Sequence, residues 1–374
     1  MFIMNLFGKL TAAAIATLIL PLGCKQRAQN GSSIKEESQT TEGHIGVADE
    51  LGNFAIIGSV SPWNVLLKKD FGKPIHNIRY FDEKYFVVHS EKINIVDAHQ
   101  SEIEASIELT GAKAQDVLVQ EKAAYISRSD NAQLSVVNLA NETTTTIDLS
   151  DLADEDGNPD MGTMARCGKY LYVQIFRLKD GEYPTGDAAL AVVDLETNKV
   201  IDADPDSNGI QPITVEGSPL RYNLRPDCPN NLLYASQPQP IMMGGGGIIK
   251  INLATMKSEG PYLSVPDLGG EAGGFVFTGD NTGWGIMHTE FGPGPSSHIF
   301  KFRVGQPRTN RFDTFNKVDS IGFDNKSGNV FFPNPGTENL NNPGVYVFSD
   351  ETLELLTPDG INVGFKPRFV TAKD

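Results

Sequence analysis

The chain has 374 residues, of which 47 are acidic and 31 are basic, so its formal net charge is −16 with histidine neutral. The acidic balance excludes nucleic acid as an expected partner, because binding to a phosphate backbone needs clustered lysine and arginine. Hydrophobic residues make up 40% of the chain, which is enough for a large core, and three cysteines are too few for a disulfide-rich scaffold.

The N-terminal segment predicts export. Lys9 precedes an apolar run from Leu10 to Leu22, and these 13 residues are too few for a membrane-spanning helix of about 20 but match the core of a secretory signal. The sequence Leu22-Gly23-Cys24 that ends the run resembles the lipobox of bacterial lipoproteins. That resemblance implies a signal peptide over residues 1–23 and lipidation of Cys24. The alternative is an ordinary signal peptide with a chance cysteine.

Residues 24–51 are mostly polar and contain no aromatic residue, so they predict a flexible tether that cannot bury enough surface to offset its ordering entropy. Lipoproteins with no aspartate after the lipidated cysteine are sorted to the outer membrane, and Lys25 stands at that position. We therefore expect an exported, membrane-anchored lipoprotein, in the outer membrane where the host has one. The remaining residues, 52–374, are predicted to form the folded domain.

Short strand-like runs recur along that domain, each with apolar first and fourth positions and, in most cases, a turn-forming residue at the fifth. They are Ile93–Asp97, Leu134–Asn138, Leu190–Asp194, Ile248–Asn252, Ile299–Arg303 and Val345–Ser349. A second recurring stretch precedes the fifth position of each run by 20 to 31 residues, at Asn77, Asp116, Thr163, Asn223, Gly274 and Ser320. Two further strand-like stretches accompany each pair of these runs. No stretch of useful length between them has the periodicity of a helix.

Four short antiparallel strands that repeat every 40 to 58 residues predict an all-β protein, a β-propeller. Six whole blades are expected between residues 75 and 357. A strand at Phe365–Thr371 and the segment Asn53–Lys69 are expected to combine as a seventh blade, which closes the ring and removes its exposed edge. A pair of β-sandwiches is the main alternative.

Three of the strands contain Tyr125-Ile126-Ser127, Tyr172-Val173-Gln174 and Tyr234-Ala235-Ser236, which resemble the Tyr-Val-Thr-Asn repeats of secreted and surface-layer propellers. The resemblance covers most of residues 53–374. It implies the propeller architecture and an extracytoplasmic setting, and it says less about function because folds host many functions.

Two groups of residues predict local chemistry. Cys167 and Cys228 occupy the same turn, between first and second strands, in consecutive blades, so a disulfide is expected in an exported chain, with two unpaired thiols as the alternative. Asp204, Asp206 and Asn208 alternate before Gly209 like the start of an EF-type calcium loop. The closing acid of that loop is missing, so a solvated turn is the alternative reading.

The function that the sequence favours is a binding or cell-envelope scaffold module, which acts as a monomer on an envelope protein or a polysaccharide. Long insertions at Phe176–Asp187, Gln237–Gly247, Phe291–Ser297 and Pro333–Pro343 would supply its loop-built face. No nucleophile, base and orienting group occur together, so no catalytic residue is assigned. The alternative is a calcium-dependent, lactonase-like hydrolase that would use Asn77, Asp116 and Asn223 in the propeller channel. Calcium is the one cofactor that either site suggests.

Overall fold

The computed structural model describes residues 43–372 except residues 101, 180–182, 185, 239–245, 290–296, 307–308, 316–317, 319 and 337–341. The signal peptide, Cys24 and most of the predicted tether lie outside the described residues. The described part of the chain contains no helix that is long and apolar enough to cross a bilayer.

The described residues form seven antiparallel blades in a ring, which confirms the predicted all-β propeller. We number the blades from the inner strand at Asn77. Blade 1 contains β4 to β7 and blade 2 contains β8 to β11. Their bounds are β4 Asn77–Phe81, β5 Lys84–Val88, β6 Lys92–Asp97, β7 Ile103–Glu108, β8 Ala114–Gln120, β9 Ala123–Arg128, β10 Gln133–Asn138 and β11 Thr144–Asp148.

Blade 3 carries extra strands, and blade 4 is followed by the one-turn helix α1. The bounds are β12 Met161–Cys167, β13 Tyr170–Ile175, a hairpin of β14 Leu178–Lys179 and β15 Tyr183–Pro184, β16 Ala188–Asp194, β17 Lys199–Ile201, β18 Ile213–Val215, β19 Arg221–Asp227, β20 Leu232–Gln237, β21 Gly247–Asn252, β22 Lys257–Ser264 and α1 Val265–Leu268. Single 3-10 turns occur at Ser150–Leu152 and Cys228–Asn230.

Blades 5 and 6 complete the six predicted from the repeats. Their bounds are β23 Glu271–Gly279, β24 Thr282–His288, β25 Ser297–Arg303, β26 Thr309–Phe315, β27 Gly322–Asp324, β28 Asn329–Asn334 and β29 Gly344–Ser349. At the outer edge of blade 6, β29 is met by two isolated bridges, from Val345 to Ile361 and from Phe348 to Leu355.

Blade 7 is formed by both ends of the domain, as the sequence predicts. Its strands are β1 His44–Ala48, β2 Asn53–Gly58, β3 Val65–Asp70 and, innermost, β30 Phe369–Ala372. The closing contact is the antiparallel pair β1–β30, in which Ile45 lies opposite Ala372 and Val47 lies opposite Val370.

The first strand of blade 7 corrects one predicted boundary. β1 falls within the stretch assigned to the tether, so the propeller begins at His44 rather than at residue 52. Its short sequence has only two large apolar residues, Ile45 and Val47, and both are fully buried in a cluster with Phe331 and Val345 of blade 6. Backbone pairing on both edges, to β2 and to β30, then fixes β1 as a middle strand of the blade.

The turn-forming residue at the end of the third strand has a direct local role. The Asp97 carboxylate accepts hydrogen bonds from the backbone amides of His99 at 2.8 Å and Gln100 at 2.6 Å. Asn138, Asp194 and Asn252 accept from the amides that follow them in the same way. Each side chain thereby satisfies the donors of the hairpin to the fourth strand, which explains the recurrence of Asp and Asn there.

The core lies between neighbouring blades rather than in one central layer. Leu118 and Leu134 of blade 2 belong to the same buried cluster as Met164, Leu171 and Val173 of blade 3. Comparable clusters fill the other blade contacts. Because the blades pack face to face around the ring, their inner strands remain to line an axial channel.

Candidate binding cavity in the propeller channel

A cavity of about 620 Å³ occupies the axial channel, and all seven blades contribute to its wall. Each inner strand of blades 1 to 5 begins at the same end of the channel, the end that also carries the loops between second and third strands. We call this end the mouth, and Glu50, Phe176 and Arg221 lie there. The opposite end, which we call the base, holds His44, whose ring lies 5.0 Å from the ring of His99.

Backbone bulges surround the mouth. The pairing of the first two strands shifts between Ala114 and Asp116, between Met161 and Met164, between Arg221 and Leu224, and between Ala272 and Phe275. The extra residues of these bulges, including Gln115, Thr163 and Tyr222, line the cavity. A bulge turns a side chain away from its regular direction, so blades 2 to 5 direct additional groups toward the axis.

Asp116, the central residue of the predicted channel site, is fully buried and accepts five hydrogen bonds. The donors are Asn77 Nδ2 at 2.9 Å, the Val117 amide at 2.8 Å, the Met164 amide at 2.7 Å, Arg79 Nε at 2.7 Å and Arg79 Nη2. The carboxylate therefore joins blades 1, 2 and 3 through a paired charge.

Asn223 has an equivalent structural role on blade 4. Its amide nitrogen donates to the Phe275 carbonyl at 2.7 Å, and its amide oxygen accepts from the Phe275 amide at 3.3 Å, on blade 5. Thr163 donates to the Tyr222 carbonyl, and Ser320 exchanges two hydrogen bonds with the backbone of Val370. The predicted column is therefore a belt of hydrogen bonds between adjacent blades.

The three predicted channel residues are consequently not brought together as a ligand set. Asn77 contacts Asp116, whereas Asn223 is bound to a different blade. Within the described ranges, no three His, Cys, Asp or Glu side chains are arranged to hold a metal ion.

The residues that sequence reasoning missed are the cationic and amide groups of the cavity wall. Arg79 and Arg225 follow Asn77 and Asn223 by two residues, and the repeated Asn-x-Arg pattern is the signal that could have revealed them. Arg221 and Gln174 also line the cavity, and no local pattern marks either residue.

The wall is electrostatically unlike the rest of the chain. Among the described residues, three arginines and one carboxylate line the cavity, and that carboxylate, Glu50, pairs with Arg368 at 3.3 Å. His76 also lines the cavity and contacts Ser90 Oγ at 2.8 Å, and burial lowers its pKa despite the nearby Glu50 charge, which favours the neutral imidazole at pH 7. Because Arg79 is paired with Asp116, the positive charge at the mouth comes from Arg221.

The long insertions predicted from the sequence all connect second and third strands, in blades 3, 4, 5 and 6. Their flanking strand ends, Ile175, Gln237, His288 and Asn334, lie at the mouth. The middle parts of these insertions lie outside the described residues.

The structure places Cys167 and Cys228 together, as a disulfide between blades 3 and 4, with Cα atoms 5.4 Å apart. Cys167 is the last residue of β12, and Cys228 is the first residue of the turn that follows β19. The pair thus links two blades at the base end, away from the mouth. Oxidation of the pair in the expressed protein stays a prediction.

The predicted calcium loop has no convergent ligand set. Asp204 accepts a hydrogen bond from Ser207 Oγ at 2.8 Å, and Asn208 contributes its backbone carbonyl to Gln211 Nε2 at 2.7 Å. Asp206 is exposed. The neighbouring Asp202, rather than Asp204, accepts two backbone amides that shape the loop.

Comparison with known proteins supports the architecture and leaves the family open. No known family matches the sequence, and no curated protein matches it either. Among solved structures, the chain is similar to a putative 6-phosphogluconolactonase from Bacteroides fragilis, with TM-score 0.63, 11% identity, 91% of this chain and 100% of that chain covered.

Two other solved structures are similar at the same level. A functionally unknown protein from Desulfotomaculum acetoxidans has TM-score 0.60 and 11% identity, with 88% of this chain and 98% of that chain covered. AztD from Citrobacter koseri has TM-score 0.50 and 10% identity, with 89% of this chain and 98% of that chain covered. At such identities the similarity shows a shared fold and no shared activity.

Proposed function

We propose that this protein is an exported, lipid-anchored propeller that acts as a binding or envelope-scaffold module through the mouth of its channel. The observation that carries the proposal is the cavity of about 620 Å³, which is lined by every blade and bordered by bulged strands. Pockets of this size are typical of small-molecule sites. The polar groups of the inner column hold the blades together, which leaves the mouth as the surface available to a ligand.

The position of β1 supports an accessible mouth. β1 begins at His44 at the base and runs toward Glu50 at the mouth. A tether that ends at His44 would therefore join the domain at the base, which leaves the mouth uncovered for an envelope protein or a polysaccharide.

The anchor itself rests on sequence. The lipobox Leu22-Gly23-Cys24 supports lipidation, and Lys25 supports the outer membrane where the host has one. Resemblance to the Tyr-Val-Thr-Asn propellers of secreted proteins supports the same setting, with the protein acting as a monomer. Labelling with radioactive palmitate should modify the wild type, and Cys24→Ser should remain unlabelled and be released from membranes. Labelling of Cys24→Ser would contradict the assignment.

The lactonase-like alternative is less well supported. It requires Asp116 to ligate calcium, but this carboxylate already accepts five hydrogen bonds and neutralises Arg79. Opening the network for a cation would remove the carboxylate from the Arg79 guanidinium, which would keep its hydrogen bond to the Met164 carbonyl. The putative lactonase among the similar structures shares only the fold.

Site-specific photo-crosslinking in the native envelope tests the binding proposal. A photoreactive residue in place of Pro219, which lines the cavity two residues before Arg221, samples the mouth, and one in place of His99 samples the base as a matched control. We expect a discrete crosslinked product from position 219 that is absent from position 99. Equal products from both positions, or none from position 219, would refute a ligand-binding mouth.

A further inference from the structure

The cavity wall contains a buried donor without an acceptor. Gln174 is 1% exposed and lines the cavity, and its Oε1 accepts the Thr163 amide at 3.1 Å. Its Nε2, however, has no hydrogen-bond partner among the described residues. An unsatisfied buried donor lowers stability, so a ligand that supplies an acceptor there gains free energy from the new hydrogen bond.

Contacts through Thr163 connect Gln174 to the strand that carries Arg221, and both residues line the same cavity. Thr163 contributes its amide to Gln174 and its hydroxyl to the Tyr222 carbonyl at 3.2 Å, across the boundary between blades 3 and 4. Arg221 precedes Tyr222 directly, is exposed, and has no carboxylate partner in the described part of the chain. Gln174, Thr163, Tyr222 and Arg221 therefore form one continuous piece of the wall.

The backbone in this piece has an uncommon conformation. Tyr222 has a φ of 64°, in the left-handed region that non-glycine residues rarely adopt, and it lies within the bulge between Arg221 and Leu224. Such outliers persist where the surroundings maintain them and are concentrated at functional sites. Arg221, at the start of the bulge, pairs through its backbone with Ser236 at the mouth. Asn223, within the bulge, instead points its side chain to the backbone of Phe275 in blade 5.

We infer that the mouth binds a small organic anion, whose carboxylate or phosphate oxygens accept from Gln174 Nε2 and pair with Arg221. Arginine suits such groups because its planar guanidinium donates to two oxygens at once. The Phe176 ring lies beside Gln174, since a Cβ at Gly162 would be 2.6 Å from that ring and 3.1 Å from Gln174 Oε1. It offers an apolar surface for the carbon skeleton of the anion. This inference rests on the proposed function and specifies its ligand class.

Calorimetric titration of the full chain in detergent tests the inference. The probes are citrate and inorganic phosphate, with glycerol as a neutral control, at constant ionic strength and pH 7.5. We expect one anion to bind with a 1:1 ratio and glycerol not to bind. Preference for citrate would assign a carboxylate ligand, and preference for phosphate would assign a phosphorylated one. If neither anion binds at 10 mM, that is, at about 10⁻² M, where even a weak site is occupied, the inference is overturned.

Three variants identify the site. Arg221→Gln should raise the dissociation constant at least about tenfold, because charge-assisted hydrogen bonds are the strong ones. Gln174→Glu keeps the acceptor for the Thr163 amide but replaces the donor with an oxygen, so it should abolish binding. Arg303→Gln removes an equal charge from the base end of β25 and should leave binding unchanged.

If Arg303→Gln and Arg221→Gln weaken anion binding equally, the effect comes from net charge alone and the proposed site is wrong. If Gln174→Glu fails to fold, Arg221→Gln still decides the question. Absence of anion binding together with a crosslink from position 219 would refute the ligand class alone. Anion binding without that crosslink would instead refute the scaffold function.

Discussion

Removing the Asp116 carboxylate should destabilise the propeller severely without removing a catalytic group. Asp116→Ala deletes five hydrogen bonds and leaves Arg79, which is 24% exposed, without its counter-charge. Breaking a buried ion pair by removing one partner costs about 3–5 kcal/mol. We expect a loss of about that size, which is a large part of the stability of an ordinary domain.

The assay is equilibrium denaturation in guanidinium chloride, followed by the fluorescence of Trp284, which is fully buried in blade 5. Asp116→Asn keeps the size of the side chain but presents an amide to donors, so it should also lower the midpoint. Glu108→Gln breaks the exposed pair with Lys92 and serves as the control that should leave the midpoint unchanged.

The refuting result is specific. Ordinary surface substitutions change the free energy of unfolding by no more than about 0.5 kcal/mol. If Asp116→Ala differs from the wild type by no more than that, the structural role of Asp116 is wrong. If Asp116→Asn retains wild-type stability and abolishes a calcium-dependent lactone hydrolysis, the lactonase alternative is right. The double variant Arg79→Met, Asp116→Asn removes both charges of the pair. It should be more stable than Asp116→Asn alone, because neither charge then remains without the other.

The remaining predictions concern the disulfide, the ring closure, calcium and pH. Cys167→Ser should lower stability by about 2–4 kcal/mol, because the bond closes a loop with a sequence separation of 61, and peptide mapping without reduction should find the two cysteines joined in the wild type. Deleting residues 365–374 removes β30 and should lower the melting temperature strongly, whereas an unchanged melting temperature would contradict the closure. Millimolar calcium should raise the melting temperature if Asp204, Asp206 and Asn208 bind it, and the absence of any shift would make the loop an ordinary turn. Burial lowers the pKa of His89, so the unfolded chain binds its proton more readily. The stabilisation from His89 should therefore be complete above the ordinary histidine pKa of about 6.5, and the free energy of unfolding should fall as the pH drops below it. This fall should be smaller in His89→Gln than in the exposed control His99→Gln.

Features that depend on short-range chemistry were readable from the sequence. The alternation of apolar residues predicts each strand, and the Asp or Asn at its end predicts the hairpin because its side chain satisfies amides two or three residues away. Repetition of that unit then predicts the propeller, and equal positions in consecutive repeats predict that Cys167 and Cys228 are neighbours.

The sequence also indicated that polar residues would occupy the inner column, but their role depends on partners in other blades. Asn77 and Asp116 are 39 positions apart and Asn223 and Phe275 are 52 apart, so no local pattern distinguishes a ligand set from a belt of hydrogen bonds. Arg79 favours the belt, because its charge pairs with the carboxylate that a metal would need.

Only the tertiary structure decided three further points. β1 is a strand because two neighbours pair with it, although its own sequence resembles the polar segment before it. The bulges that place Arg221 and Tyr222 at the mouth arise from a mismatch between paired strands, which has no signal in either strand alone. The unmet donor of Gln174 exists only because the surrounding blades bury it and leave the channel beside it open.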